Sequence, residues 1–169
     1  MTPFGHIGGG VVVGCLAEKL ILKGQLSPAK VGIMVLLSIL PDLDSSLAVL
    51  FKMWRPGQEK LNHHDYFSHT PIFYLLLSVV IWLIGGTEMG VLFLLITFTH
   101  LLLDSWATDD GIMWLWPIKR EKYSIFPSNL HEGGLYGTRY YLRYVGKLQV
   151  SIPEAVLFVA GVLLVIFWV

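Results

Sequence analysis

The stretch from Thr70 to Trp106, TPIFYLLLSVVIWLIGGTEMGVLFLLITFTHLLLDSW, decides the fold. Two apolar runs, 70 to 86 and 88 to 106, flank a tight Gly85-Gly86 turn, and Glu88 is the only Asp, Glu, Lys or Arg before Asp104. A helix needs about 20 apolar residues to cross a hydrocarbon core of roughly 30 Å, so the stretch is too long for one crossing. The glycine pair frees the backbone to reverse, which predicts two membrane helices joined as a hairpin. The first of the two is marginal in length.

Three further runs extend the pattern. Residues 7 to 22 (IGGGVVVGCLAEKLIL) are glycine-rich and carry Glu18 and Lys19, so this span needs neighbouring helices around it. Residues 29 to 51 are long enough to cross but are interrupted by Pro41 and carry Asp42 and Asp44; the run from 151 to the end is the cleanest. Composition agrees, with 54% hydrophobic and 14% charged residues in 169. The expected fold is all-α, a polytopic membrane helix bundle of four or five transmembrane helices forming one integral membrane domain over 1–169. The N-terminus lacks the basic segment and cleavage site of a signal peptide, and the first helix is expected to be retained.

Charge and cysteine content exclude other classes. Twelve basic and twelve acidic residues leave no net charge to attract nucleic acid. Cys15 alone allows neither an internal disulfide nor a cysteine-based zinc cluster, so a metal here must use His, Asp or Glu. If all five runs cross, the connections 52 to 69 and 107 to 150 share a side that holds nine of the twelve basic residues, and the positive-inside rule makes it cytoplasmic. Residues 128 to 150 combine a GGLYG loop with an aromatic-basic stretch that predicts an amphipathic surface helix.

Chemistry-bearing residues gather on that cytoplasmic side. His6 precedes the first helix; Asp42 and Asp44 lie late in the second run; His63, His64 and His69 come just before the third; His100 and Asp104 end the fourth. An i, i+4 pair such as His100 and Asp104 shares a helix face and can bind one metal or two adjacent ones. Pro41 breaks the helix before Asp42 and would turn both carboxylates toward a cavity. A membrane-edge histidine such as His63 is by itself explained as an interfacial polar group. Carboxylates inside membrane helices are costly and usually have a partner, and beyond Lys30 these runs offer no nearby cation to make a structural salt bridge. Trp106, Trp114, Trp116 and Tyr123 read as an interfacial belt.

The succession His6, PDLD (41 to 44), HHDYFSHTP (63 to 71) with His64 and His69, HLLLD (100 to 104), Thr108, Gly111 and the WPIKREKYSIFP segment resembles the YdjM family of membrane-bound, predicted metal-dependent hydrolases, of the LexA-regulated type. The motifs cover about residues 1 to 130 in the family's order. The resemblance implies a bacterial or archaeal inner-membrane protein whose His6, Asp42, Asp44, His64, His69, His100 and Asp104 bind divalent metal. Two positions depart from the family pattern: its HR pair reads His64-Asp65, and its THS reads Ser68-His69-Thr70. The first removes a phosphate clamp and offers a further carboxylate. In order and spacing the chain is also remotely similar to zinc-dependent phospholipase C and the single-strand nucleases, with His131 and Glu132 standing where those proteins have later ligands.

These readings lead to a metal-dependent hydrolase with zinc or manganese as the ion, acting on a phospholipid or other lipid phosphoester at the membrane surface. Asp42, Asp44 and Asp65 are the candidate proton acceptors, and Lys119, Arg120 and Lys122 the candidate headgroup contacts. Two other classes use the same residues: an ion- or proton-coupled transporter, and a noncatalytic adaptor with a structural metal.

Overall fold

A computed structural model describes residues 1–44, 63–106, 108, 111–127 and 138–169. Among these, the regular structure is helical, with one isolated bridge between Ile112 and Tyr123. Helix α1 spans Pro3–Leu16 and runs on through a π-helical turn, Ala17–Leu22. Helix α2 spans Pro28–Ile39, α3 Pro71–Asp104, α4 Thr138–Val145 and α5 Leu148–Trp168. Proline opens α1, α2 and α3 at their first positions, where its fixed φ suits the helix and its missing N–H costs nothing.

Among the described residues, three helices are long and apolar enough to cross a membrane: Pro3–Leu22, Pro71–Asp104 and Leu148–Trp168. The second is folded on itself. Gly86 has φ 82° and ψ 178°, a region essentially closed to residues with a Cβ. The chain reverses there, and a Cβ on Gly90 would lie 2.5 Å from Trp82 Cβ, while the Tyr74 and Phe93 rings meet at 6.2 Å. The arms, 71–85 and 87–104, are therefore antiparallel, about 22 and 27 Å long at ~1.5 Å per residue. The hairpin expected from Gly85-Gly86 is present, and four long helical segments result, with α2 as a shorter fifth.

Helix α1 lies at the centre, packed against α2, α3 and α5. The least apolar span is thus the most enclosed, 56% buried against 22% and 17% for the other two. Close packing comes from its glycines: a Cβ on Gly8 would sit 2.5 Å from the backbone nitrogen of Phe158, so α1 and α5 touch main chain to main chain. Glu18 is fully buried and is met by Lys30 Nζ at 3.1 Å, which also reaches Glu88 at 2.7 Å. This ion-pair group ties the far ends of α1 and α2 to the hairpin turn.

The second run behaves differently from a full span. Helix α2 stops at Ile39, before Pro41, and its 12 residues reach only about 18 Å; residues 45–51 of that run lie outside the described residues. The amphipathic element expected in 128 to 150 corresponds to α4, where Tyr144 is buried while Leu142 and Arg143 are exposed.

Candidate metal centre

One end of the bundle collects the beginnings of α1, of the first arm of α3 and of α5, together with the ends of α2 and of the second arm. His6 stands one turn into α1, and Asp42 and Asp44 follow the end of α2. His64 and His69 lie on two short 3-10 turns, His63–Asp65 and Phe67–His69, that lead into α3, and His100 and Asp104 close it. Up-and-down connectivity therefore delivers all seven residues to one level.

Asp104 is the hub. Its Oδ1 lies 3.1 Å from His6 Nε2, and its Oδ2 lies 3.0 Å from His100 Nε2, 3.2 Å from His69 Nε2 and 3.8 Å from His64 Nε2. The amino group of Met1 is 2.6 Å from Oδ1. Two ligand groups share this one carboxylate: His6, Asp42, His100 and Asp104 form the first, and His64, His69 and Asp104 the second. Within each group, one ligand atom per residue lies within 4.8 Å of the others. In the first, the His6 and His100 rings stack at 3.7 Å, and Asp42 Oδ1 is 3.5 Å from His100 Nε2.

The hydrogen bonds around the cluster orient imidazoles as metal sites require. His100 Nδ1 lies 2.7 Å from the carbonyl of Ser38, which fixes its proton there and leaves Nε2 as a bare lone pair. His69 Nδ1 faces Asp44 Oδ2 at 3.4 Å, and Ser68 Oγ donates to the same oxygen at 2.9 Å. Asp44 thus stands behind His69, outside both ligand groups. Burial opposes protonation of His69, but hydrogen bonds to Asp104 and Asp44 outweigh it and raise its pKa above 6.5.

Two of these atoms, Nδ1 of His6 and Oδ1 of Asp44, are buried without a hydrogen-bond partner, and Nε2 of His6 and of His100 face Asp104 at 3.1 and 3.0 Å without hydrogen-bond geometry. Orphaned buried polar atoms are costly and rare, and lone pairs converging on a shared carboxylate suit a cation. Lys30, the one cation the sequence offered as a salt-bridge partner, is engaged with Glu18 and Glu88 at the opposite end. The residues present fit divalent metal.

Other candidates fall elsewhere. Asp65 is exposed and pairs with Lys122 at 2.5 Å; Lys119 and Arg120 are exposed on the segment after α3. His131 and Glu132 lie outside the described residues. Four contributors were not anticipated: the Met1 amino group, the Ser38 carbonyl, Ser68, and Glu154 of α5, which accepts from the backbone nitrogen of Thr2 at 2.6 Å and its hydroxyl at 2.7 Å, anchoring the start of α1. Only Glu154 carried a signal, as a lone carboxylate inside the cleanest apolar run.

The whole chain, residues 1–169, matches the family described as YdjM inner membrane protein, and the chain belongs to that family. No curated protein and no solved structure matches it.

Proposed function

We propose that this YdjM family member is a metal-dependent hydrolase of lipid phosphoesters, working with two divalent ions that share Asp104. The observation that carries this reading is one buried carboxylate common to two groups of possible ligands, His6, Asp42 and His100 on one side and His64 and His69 on the other. His6, Asp42, His100 and Asp104 would hold one ion, and His64, His69 and Asp104 the other. Zinc suits a set this rich in imidazole, with manganese the alternative. Such ions supply Lewis acidity and a water that ionises near neutral pH.

The chain's own groups do the remaining work. Asp44 holds the His69 ring by Nδ1, which aims Nε2 at the cluster, and its unpartnered Oδ1 is placed to take a proton. Asp42, half-buried at the rim, is the other proton acceptor within reach. Asp65, held by Lys122 on an exposed turn, serves the surface rather than the chemistry. Lys119 and Arg120 with Lys122 form a basic rim suited to an anionic headgroup.

Orientation follows from charge. Lys119, Arg120, Lys122, Arg143 and Lys147 lie between the end of α3 and the start of α5, at the cluster's end of the bundle, whereas Lys19, Lys23 and Lys30 mark the other end. The positive-inside rule turns the centre toward the cytoplasm. A site at that level receives a phospholipid headgroup without lifting the lipid into water.

Metal content and phosphoester hydrolysis, measured together on detergent-purified protein and on an Asp104→Ala variant, test the reading. Bound zinc or manganese and lipid hydrolysis, both lost in the variant, are expected. Metal without hydrolysis across a phospholipid panel would leave an adaptor with a structural metal; absence of metal would favour transport.

A further inference from the structure

Helix α2 ends in a way that serves His100. In a continuing helix the N–H of Asp42 would take the carbonyl of Ser38, but Pro41 has no N–H and its ring crowds the carbonyl of Leu37. The N–H of Asp42 turns instead to the carbonyl of Ile39 at 3.1 Å. The Ser38 carbonyl is released from the helix ladder in a buried position, and His100 Nδ1 meets it at 2.7 Å.

That contact requires α1, α2 and the second arm of α3 to converge one turn below the ligands, and Gly10 stands at the crossing. It follows His6 by one turn in α1, and Ile96 precedes His100 by one turn in its arm, so each pair shares a helix face. A Cβ on Gly10 would run into the Ser38 hydroxyl and lie 2.9 Å from Ser38 Cβ and 3.0 Å from Ile96 Cγ2. Gly10, Ser38 and Ile96 are all buried, and the Ser38 hydroxyl is tied to the carbonyl of Met34 at 2.6 Å, so it has little room to turn aside. Helix α1 cannot withdraw freely either, because its His6 ring stacks on that of His100 at 3.7 Å.

We infer that Gly10 is a positioning residue of the metal centre: it lets α2 approach until the Ser38 carbonyl reaches His100 Nδ1, and so fixes which nitrogen of His100 faces the metal. The inference rests on the metal-centre reading proposed above. A side chain at position 10 pushes Ser38 away from α1 and Ile96, and with it from His100. The imidazole then loses the acceptor that holds its Nδ1 proton, and its ring is free to rotate or change tautomer. Asp42, one turn beyond Ser38, moves with it. The group that acts on His100 is main chain, so position 10 controls it where the Ser38 side chain does not.

The test uses full-length protein in detergent carrying His64→Ala, which leaves the position formed by His6, Asp42, His100 and Asp104. Zinc affinity is measured by competition with a chromogenic chelator. The imidazole N–H of His100 is followed by NMR with isotopically labelled histidine and assigned through His100→Gln. Gly10→Ala should weaken zinc binding by about 10–100-fold, as loss of an orienting partner does, and abolish the hydrogen-bonded N–H signal. Adding Ser38→Gly removes the side chain that the new Cβ meets and keeps the carbonyl, so the double variant should regain both. Gly14→Ala, one turn along the same interface, meets the flexible end of Met34 at 2.7 Å and should leave both at their starting values.

Unchanged affinity and N–H signal in Gly10→Ala, or equal losses in Gly14→Ala, overturns the inference while the metal reading stands. So does a double variant that regains thermal stability without regaining either readout. If the protein binds no zinc with Gly10 in place, the metal reading falls. The N–H signal then decides alone: loss in Gly10→Ala with recovery in the double variant supports Gly10 as the residue that places Ser38 against His100, and a constant signal overturns it.

Discussion

His69 Nε2 lies 3.2 Å from Asp104 Oδ2, although the two residues are 35 positions apart, one at each foot of the α3 hairpin. The turn at Gly86 and the pairing of the arms therefore set the geometry of the centre as directly as the ligands do. Asp104 also meets His6 from α1 and His100 from its own arm, so a single carboxylate joins residues from both ends of the motif series.

Sharing of Asp104 predicts unequal effects of ligand removal. Asp104→Ala should empty both positions, whereas His64→Ala should cost only the ion held with His69. Inductively coupled plasma mass spectrometry on the two variants reads this as loss of all metal against loss of about half. Equal residual metal in the two would contradict a shared carboxylate.

Stability of the metal-stripped protein should depend on pH through His69. Its folded pKa is raised above 6.5, so its stabilising contribution is complete below the unfolded value and fades as pH rises through the folded one. The stripped protein should therefore show a falling Tm above about pH 6.5, and His69→Gln should flatten that slope. Zinc requires the unprotonated ring, so the Tm gain on adding zinc should grow over the same window. A stripped-protein Tm that climbs with pH there would refute the assignment.

Gly86→Ala should destabilise the hairpin by about 1–3 kcal/mol, since the φ and ψ of Gly86 are strained for any residue with a Cβ. Thermal unfolding in detergent measures this, and metal content should fall with it because the feet of the hairpin carry His69 and Asp104. An unchanged Tm would mean that the reversal tolerates a side chain.

At the opposite end, Lys30→Met leaves Glu18 buried without its counter-ion and should destabilise by on the order of 3 kcal/mol. The double variant Lys30→Met, Glu18→Gln removes the charge as well and should recover much of that loss. Equal stability of the single and double variants would show that the pair does not couple.

Much of the fold was legible because lipid imposes strong rules on sequence. Apolar runs of membrane length, a glycine pair between two of them and alternating directions of crossing were enough to bring His6, His64, His69, His100 and Asp104 to one level. The break before Asp42 was legible in Pro41, and α2 ends at Ile39, two residues ahead of it, so the helix is shorter than the apolar run that contains it. Asp44 and Asp65 read alike as carboxylates beside histidines; one lies behind His69 and the other is exposed against Lys122.

What the sequence determined by itself, then, was the medium, the helical class and the depth at which each polar residue sits. All of these depend on hydropathy and order along the chain. Tertiary structure alone decided which carboxylate is shared, which groups orient the imidazoles and where Lys30 is engaged. These depend on how helices rotate and pack against one another, and in lipid a helix that is apolar all round carries little periodicity to mark its inward face.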